Sequence, residues 1–273
     1  MISLVFPCLN PTSEQWNKLS TFINELRHNS SIQFELIVVD DGSTKWIAPP
    51  KELEKSLLIH RLSSNAGKGG ALKVATRIFS QKSSVFAFLD FDLPFSTQEV
   101  LGVCSAVIEG CDLCIGDRTL LRQEDVLYRK KSSNRISRNF AHILFRLIVR
   151  MLITGGVPDT QCGIKAYRAD MVRRIAEKSK INGFLFDVEW IYIALRHRLA
   201  LRCWPVQVQE EHESSTLRSF GFIKPLNQLW TLFTSIVRRD YEDEILYGLA
   251  RSRREQIKNK SAIVNGASVL FPK

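Results

Sequence analysis

Short apolar runs alternate with segments of helical spacing through the first half of the chain. The apolar runs predict strands at Ile2–Phe6, Glu35–Val39, Leu57–Leu62, Val85–Leu89 and Cys111–Ile115. Between them, apolar residues recur on one helix face and predict helices over Ser13–His28, Gly70–Phe79 and Ser96–Glu109. Strands that are apolar throughout and alternate with helices are typical of a parallel sheet covered on both faces. The pattern therefore predicts an α/β fold with a mostly parallel sheet flanked by helices.

The second half of the chain has mainly helical spacing. The pattern predicts helices over Arg135–Ile153, Met171–Lys178, Asp187–His197 and Phe222–Val237, and a strand at Leu201–Val208. The basic segment Arg251–Lys260 lacks such spacing, so we expect it to fray. No internal repeat or linker divides the chain. We expect a main domain over residues 1–215 and a C-terminal helical extension with a basic tail over residues 216–273.

Polar residues follow each of the five strands predicted in the first half. They are Asn10, Asp40 and Asp41, Asn65, Asp90 and Asp92, and Asp117 and Arg118. Ligands of open α/β sheets bind beyond the carboxyl ends of the strands. The sequence therefore predicts that these five clusters meet at one crevice.

Composition places the chain among ordinary globular proteins. Of its 273 residues, 45% are hydrophobic and 24% are charged, which excludes a disordered chain and a small disulfide scaffold. Six scattered cysteines favour a reduced, cytoplasmic protein. The sequence has no run of about 18 uncharged apolar residues and no basic leader before Pro7, so we expect neither a transmembrane helix nor a secretory signal.

The net charge of +10 predicts an anionic partner, such as a phospholipid, a phosphorylated small molecule or a nucleic acid. Nine basic and two acidic residues lie between Arg118 and Leu152, although such a run is equally typical of a solvated face. No zinc module, helix-turn-helix or RNA-binding aromatic motif supports nucleic acid, and carboxylates at the strand ends would repel its backbone. We therefore expect no nucleic-acid partner.

Two acidic motifs carry candidate chemistry. In Asp40-Asp41-Gly42-Ser43 a turn explains one acid, whereas a second acid suits a hydrogen bond to a ribose or a base. In Asp90-Phe91-Asp92, alternate residues of an extended chain share one face, so both carboxylates would point the same way. Two hard oxygen ligands on one side suit Mg²⁺ or Mn²⁺ held together with a diphosphate. Such a cation would neutralise charge on a departing phosphate.

The segment Asn65–Leu72 is rich in glycine and opens a predicted helix. Its glycines allow the close approach of a ligand, and Lys68 can pair with a phosphate. The segment fits neither the phosphate-loop pattern nor the dinucleotide fingerprint. A plain glycine-rich connection therefore stays open as an alternative.

Seven segments in this order resemble family-2 inverting glycosyltransferases of the GT-A fold. They are Pro7–Asn10, Val38–Ser43, Asn65–Leu72, Asp90–Asp92, Gly116–Arg118, Asp159–Lys165 and Phe186–Glu189. The last three resemble the branch that makes polyprenyl-phosphate sugars. The likeness covers residues 1–210 and implies a UDP-sugar donor, with glucose as the expected sugar and N-acetylglucosamine still open, and a polyprenyl phosphate acceptor.

The resemblance implies roles for the motif residues. The implied nucleotide-sugar ligands are Pro7, Asn10, Asp40, Asp41, Gly42, Lys68, Gly69, Asp90 and Asp92. Asp92 and Asp90 would also hold Mg²⁺ or Mn²⁺. The implied acceptor-phosphate contacts are Arg118, Lys130, Lys131, Arg135, Lys165 and Arg168. The implied catalytic set is Asp92, Arg118, Lys165, Asp187 and Glu189, with Glu189 facing the active site.

The identity of the acceptor decides what the catalytic carboxylates do. A phosphate monoester is ionised near neutral pH, because its second pKa is about 6, so it needs no strong base to attack C1 of the sugar. A saccharide hydroxyl would need a base, which Asp187 or Glu189 could supply. A sugar-1-phosphate nucleotidyltransferase is disfavoured because Pro7–Asn10 is not a basic glycine-rich loop. An inactive relative is disfavoured by the intact acids.

Two basic amphipathic segments, Arg135–Ile153 and Phe222–Arg239, have the composition of helices that lie on a membrane. They predict a peripheral protein on the cytoplasmic face of a membrane. Packing of the same helices in the core is the alternative.

Overall fold

The computed structural model describes residues 1–120, 153–209, 223–259 and 269–270, with side chains over residues 1–120, 153–209 and 227–255. The strands are β1 (Ile2–Cys8), β2 (Phe34–Asp40), β3 (Leu58–Arg61), β4 (Val85–Leu89), β5 (Leu113–Asp117), β6 (Ile164–Arg168), β7 (Leu201–Pro205) and β8 (Val269–Leu270). The helices are α1 (Ser13–Asn29), α2 (Lys51–Glu54), α3 (Lys68–Ile78), α4 (Thr97–Glu109), α5 (Ala169–Lys178), α6 (Phe186–Arg196), α7 (Ile223–Val237) and α8 (Glu244–Asn259).

The strands form one sheet in the order β3-β2-β1-β4-β6-β5-β7-β8. Strands β1 to β4 pair in parallel, as do β5 and β7, whereas β6 is antiparallel to both of its neighbours and β8 is antiparallel to β7. The predicted α/β class, with a mostly parallel sheet flanked by helices, is confirmed.

The chain reverses its direction of travel across the sheet beside β1. Strands β2 and β3 lie on one side of β1, and β4 lies on the other. Right-handed crossovers then put α1 and α3 on opposite faces of the sheet. In agreement, α1 packs on α4, whereas α3 packs on α5 and α6. A crevice at the carboxyl ends of β1 and β4 is where such a sheet binds ligands.

Helix α1 shows how local sequence positions this crevice. Thr12 and Gln15 exchange side-chain and backbone hydrogen bonds in a capping box, which fixes where the helix begins. Trp16 then lies in the buried stripe of the helix. Its ring meets that of Phe91 edge-on at 5.0 Å between centroids. The first turn of α1 therefore supports the loop that follows β4.

Four elements differ from the expectations drawn from the sequence, and two of them, α2 and β8, are very short elements that were not predicted. Strand β6 was not predicted, because it is only five residues long and two of them, Lys165 and Arg168, are charged. The expected fraying after Arg251 is wrong, since α8 continues to Asn259. Leu246 and Ala250, one helical turn apart, are buried in the core and anchor α8 ahead of its charged end. The predicted helix Arg135–Ile153 lies outside the described residues, apart from its last residue.

The C-terminal helices pack against the same core as the sheet. Leu232 of α7, Tyr241 of the connection and Leu246 of α8 are buried members of the single apolar cluster. Over the described part of the chain, none of the helices combines the length and hydropathy that crossing a bilayer requires.

Candidate active site

The loops after β1 and β2 are tied together at one corner of the crevice. Asn10 adopts a left-handed backbone (φ 51°), and its side-chain oxygen accepts a hydrogen bond from the Lys45 amide at 2.9 Å. The Asn10 amide donates to Ser43 Oγ at 2.6 Å, and the Asp41 amide donates to the Cys8 carbonyl at 2.9 Å. Pro7 is buried within β1. Of the two predicted ligands Pro7 and Asn10, only Asn10 is exposed at the rim.

The adjacent acids Asp40 and Asp41 have different surroundings. Asp40 is fully buried, and its carboxylate accepts hydrogen bonds from the Ser43 amide at 3.0 Å and from Arg61 Nε at 2.9 Å. Asp41 accepts a hydrogen bond from the Ala66 amide at 2.7 Å. Burial raises the pKa of the Asp41 carboxyl, although backbone N–H groups oppose the shift. Asp40 thus shapes the turn, whereas Asp41 joins it to the glycine-rich segment.

Glycine is required where these loops meet. A Cβ on Gly42, whose φ is +71°, would lie 2.4 Å from the Ser64 carbonyl carbon. A Cβ on Gly69 would lie 2.5 Å from Phe186 Cβ and 2.9 Å from the Asn182 carbonyl oxygen. Helix α3 therefore begins in direct contact with the segment that leads into α6. This packing puts Lys68, the first residue of α3, beside the end of β4.

The motif Asp90-Phe91-Asp92 forms a turn. The Leu93 amide donates to the Asp90 carbonyl at 3.0 Å, and Leu93 has a left-handed φ of 54°. Asp90 and Asp92 therefore do not lie on one face of a strand as predicted, because β4 ends at Leu89. The Asp90 amide donates to the Gly163 carbonyl at 3.0 Å. The buried ring of Phe91, between Asp90 and Asp92, instead holds the turn against Trp16 of α1.

Two lysine–aspartate pairs lie next to each other behind this turn. Lys68 Nζ donates to Asp90 Oδ1, and Lys165 Nζ donates to Asp187 Oδ1 at 2.7 Å and to the Cys162 carbonyl at 2.8 Å. Both ammonium groups lie over the ring of Phe88, at 5.4 Å for Lys68 and 5.3 Å for Lys165. The predicted residues Lys68, Asp90, Lys165 and Asp187 are therefore brought together. The expected contact of Lys165 with the acceptor phosphate is wrong, because its side chain is fully buried and its ammonium group is bound by Asp187 and the Cys162 carbonyl.

These charges act on one another. Burial lowers the pKa of Lys68, but the carboxylates of Asp90 and Asp187 outweigh it and raise the pKa overall. Asp92 acts on Lys68 in the same direction. Burial raises the pKa of the Asp187 carboxyl against the opposing ammonium groups of Lys165 and Lys68. The site is thus a compact set of alternating charges.

Arg118 lies at the end of β5 and is clamped by Asp159. Its Nε and Nη2 atoms donate to the two carboxylate oxygens of Asp159 at 2.7 and 2.8 Å. Burial alone would raise the pKa of Asp159, but the guanidinium group lowers it overall, and the same hydrogen bonds raise the pKa of Arg118. Asp90 also acts on Arg118 electrostatically, which connects this pair to the crevice.

Two predicted site residues lie elsewhere. Glu189 does not face the active site, because it is fully buried and accepts hydrogen bonds from Ser179 Oγ, the Lys180 and Ile181 amides and the Tyr241 hydroxyl. Arg168 lies at the opposite end of the sheet, paired in register with Val85, because β6 runs antiparallel to β4. Its distance along β6 from Ile164 is about 13 Å. Lys130, Lys131 and Arg135 lie outside the described residues.

The carboxylates of Asp90 and Asp92 fit a divalent cation that prefers oxygen ligands. Among the residues that the structure describes, no group of three or more His, Cys, Asp and Glu side chains could hold a metal ion. Asp90 and Asp92 alone offer two hard oxygen donors separated by one residue of a turn. This donor set fits Mg²⁺ or Mn²⁺ that takes its other ligands from a diphosphate and water, as Mg²⁺ usually does.

Several residues of the site were not assigned roles from the sequence. Gly163 is one, since a Cβ there would lie 2.2 Å from Asp90 Oδ2. Phe88 and Phe186 are others, because their rings flank the Lys68 ammonium group at 5.4 and 5.6 Å. Asp159 and Gly163 belong to the motif Asp159–Lys165, and that membership was the only sequence feature that pointed to a role in the site. Aromatic residues of a strand and a helix give no such signal, because core packing explains them equally well.

Comparisons with known proteins show the family to which this chain belongs. The model of the family "Glycosyl transferase family 2" matches residues 3–176. A dolichyl-phosphate beta-glucosyltransferase of Saccharomyces cerevisiae is 27% identical, over 89% of this chain and 77% of its own length. The enzyme of that name from Dictyostelium discoideum is 28% identical, over 71% of this chain and 62% of its own length.

Solved structures give weaker likenesses. The mannosyl-3-phosphoglycerate synthase of Rubrobacter xylanophilus is 16% identical, with a TM-score of 0.49, over 97% of this chain and 77% of that protein. The family match covers most of the chain and contains the loops after β1, β2, β4 and β5. The chain belongs to glycosyl transferase family 2.

Proposed function

We propose that this protein transfers a sugar, expected to be glucose, from a UDP-sugar to a polyprenyl phosphate with inversion at C1. The observation that carries the proposal is the grouping of Lys68, Asp90 and Arg118 beyond the carboxyl ends of β4 and β5. This grouping offers cations to phosphate groups and a carboxylate to a divalent cation. The names of the matched relatives support the same reaction.

The donor would occupy the corner between β1, β2 and β4. Asn10 and Asp41 lie at the loops that would contact the nucleoside, and Lys68 would meet the diphosphate. Asp92 and Asp90 would hold Mg²⁺ or Mn²⁺, which when bound neutralises charge on the departing UDP. Phe91 and Gly163 hold the Asp90–Leu93 turn in place for this role.

The acceptor phosphate would lie against Arg118. Its guanidinium group is partly exposed, with 28% of the side chain accessible, and Asp159 fixes its orientation through two hydrogen bonds. A phosphate oxygen forms the new bond to C1 while the bond from C1 to the UDP oxygen breaks and UDP leaves. Lys165 is fully buried and holds Asp187, so its role is to position that carboxylate.

A hydroxyl acceptor is the alternative that the surroundings of the carboxylates disfavour. Such an acceptor needs a free base, and Asp187 and Glu189 were the candidates. Asp187 is bound by Lys165, and Glu189 is buried among four hydrogen-bond donors. An ionised phosphate needs neither of them.

The test measures UDP release from a panel of UDP-sugars, with Mg²⁺, with Mn²⁺ and with chelator, using a short polyprenyl phosphate or a saccharide as acceptor. We expect product only with the phosphate acceptor. Arg118→Lys should raise KM for that acceptor about tenfold or more, because an ammonium group cannot keep the two-point contact with Asp159 that orients the guanidinium group. Arg168→Lys is the matched control at the far end of the sheet and should leave KM unchanged. Transfer to saccharides alone would overturn the proposal.

We further propose that α7 docks this protein on an anionic membrane surface. Trp230, Phe233 and Val237 are 68%, 58% and 66% exposed and lie along one side of the helix. Arg238 and Arg239 follow directly and are exposed, and Arg239 also lines a cleft with Arg196. Three side chains are too few for a stable dimer, which needs about 800 Å² from each partner. Aromatic residues beside arginines suit a lipid interface.

The docking helix contacts the segment that leads into α6. The Gln228 side chain of α7 accepts a hydrogen bond from the Leu185 amide at 2.9 Å, directly before α6 and its residue Asp187. We propose that docking through α7 holds this protein at the surface that carries the polyprenyl phosphate. The cytoplasmic leaflet is the anionic one, so we propose docking there.

Vesicle sedimentation tests this docking. The protein should bind phosphatidylserine vesicles at low salt, and Trp230→Ser with Phe233→Ser should weaken binding about tenfold. Ile108→Ser, which removes a 52%-exposed apolar residue of α4, is the matched control. Arg238→Gln should weaken binding about fivefold. Absence of binding at low salt, or an equal effect of Ile108→Ser, would refute the docking.

A further inference from the structure

The Asp90 carboxylate is already engaged by Lys68 before any ligand arrives. The other carboxylate oxygen of Asp90 faces Gly163, where an added Cβ would lie 2.2 Å from it, and the Asp90 amide is bonded to the Gly163 carbonyl at 3.0 Å. Asp90 is therefore held in place from two sides. Lys68, in contrast, has a flexible four-carbon side chain that is 34% exposed.

A divalent cation that needs Asp90 must therefore compete with the Lys68 ammonium group. We propose that Lys68 is the resident counter-ion of Asp90 and releases this carboxylate to the metal only when the diphosphate of the donor receives the ammonium group. This inference rests on the proposed function, since it takes a nucleoside diphosphate and a divalent cation as the ligands.

The position of Lys68 permits such an exchange. Its ammonium group lies over the rings of Phe88 and Phe186, at 5.4 and 5.6 Å, so it keeps favourable contacts while it changes its anionic partner. Lys68 begins α3 directly after Gly67, whose φ is +84°, and a glycine-rich helix start admits phosphate closely. Exchange of one anionic partner for another keeps the charge of Lys68 balanced throughout.

The exchange makes a thermodynamic prediction. A metal ion that binds alone must displace the Lys68 ammonium group from Asp90 and leaves it without a partner. When UDP binds as well, its diphosphate becomes the new partner of that ammonium group. Mn²⁺ and UDP should therefore bind with positive cooperativity, and each should strengthen the other by the same factor. The part of this factor that comes from Lys68 should vanish when the ammonium group is removed.

Calorimetric titration of Mn²⁺ into the full chain, with and without saturating UDP, measures the coupling. We expect Lys68→Met to bind Mn²⁺ alone about fivefold or more tightly than wild type, and the gain from UDP to fall about tenfold. Lys68→Arg keeps the charge and should retain weak binding of metal alone. Lys73→Met removes a charge from the same helix, where Nζ binds the Ser179 carbonyl and Asn182 instead, and should change neither value.

The outcomes separate this inference from the proposed function. If wild type and Lys68→Met bind Mn²⁺ alone equally well while both still bind UDP, the counter-ion role is refuted and sugar transfer stands. If Lys73→Met matches Lys68→Met, the effect is one of net charge and the counter-ion role is likewise refuted. If wild type binds no UDP with or without Mn²⁺, both fail together.

Discussion

The two lysine–aspartate pairs of the site are chemically alike and differ in burial. Lys165 is fully buried and its partner Asp187 is 10% exposed, whereas Lys68 and Asp90 are 34% and 35% exposed. A buried pair is costly to break, because the remaining charge is left without water or a partner. A pair that is about one-third exposed keeps contact with water and can change partners. The difference in burial therefore indicates that the Lys165–Asp187 pair stabilises the structure of the site, whereas the Lys68–Asp90 pair is available to bind ligands.

The surroundings of the two pairs fit this division. Lys165 has a second fixed partner in the Cys162 carbonyl, and it sits within β6 in the middle of the sheet. Lys68 is the first residue of α3, and its ammonium group is bound to Asp90 at the crevice. The same two residue types thus serve as a structural cross-link between β6 and α6 and as a proposed ligand-binding contact.

Removing each ammonium group should separate the two roles most strongly. Lys165→Met should lower the free energy of unfolding by about 3–5 kcal/mol, because Asp187 is left buried and unpaired. Lys68→Met should lower it by less than about 1 kcal/mol, because water can solvate Asp90. Urea unfolding at neutral pH measures both. Equal losses in the two variants would contradict the distinction.

Asp90→Asn should have the opposite effect to Lys165→Met, with a large loss of sugar transfer and a small change in the free energy of unfolding. The amide keeps the shape of the carboxylate but loses the charge that holds Lys68 and a divalent cation. We expect kcat/KM to fall by about 10²–10³, and the free energy of unfolding to change by less than about 1 kcal/mol. Steady-state kinetics and urea unfolding of the same preparation give both numbers. Unchanged kcat/KM would remove Asp90 from the site.

Much of the fold and the motif positions could be predicted from the sequence. The strands ending at Asp40, Leu89 and Asp117 are apolar runs that stop at charged residues, and a parallel sheet brings such ends together. The convergence of Asp41, Asp90 and Arg118 on one edge follows from that rule alone. Family membership followed from the order of the motifs.

Antiparallel pairing and burial could not be predicted in this way. Arg168 was assigned to the site from the family resemblance, and nothing in the local spacing shows that β6 runs against β4. Glu189 was assigned to it because a motif gives a residue type and not the direction of its side chain. It is two residues from Asp187 on α6, so the two carboxylates point to different sides of the helix. Both errors concern long-range packing, which local pattern does not encode.

Glu189 extends the comparison to a carboxylate that has only structural partners. Glu189→Gln should lower the free energy of unfolding by about 2 kcal/mol, because the amide presents an N–H group to the Lys180 and Ile181 amides or to Tyr241. Catalysis by any remaining folded protein should keep the pH profile of wild type. Thermal or urea unfolding and a pH–rate profile check this. Loss of one limb of that profile would instead make Glu189 a catalytic base.

The Arg118–Asp159 pair allows a smaller test through pH. Arg118 lowers the pKa of Asp159 in the folded protein, so the folded state favours the carboxylate. The pair therefore stabilises the fold above the ordinary Asp pKa of about 3.9, and this contribution is lost as pH falls through the lowered pKa of the folded state. Asp159→Asn should cost about 1–2 kcal/mol at pH 7, and the difference from wild type should shrink below pH 4. Urea unfolding of both proteins across this range measures it. If the difference in unfolding free energy stays constant or grows towards acid pH, Arg118 does not hold Asp159 as a carboxylate. The guanidinium group would then lack the fixed orientation on which the proposed acceptor site depends.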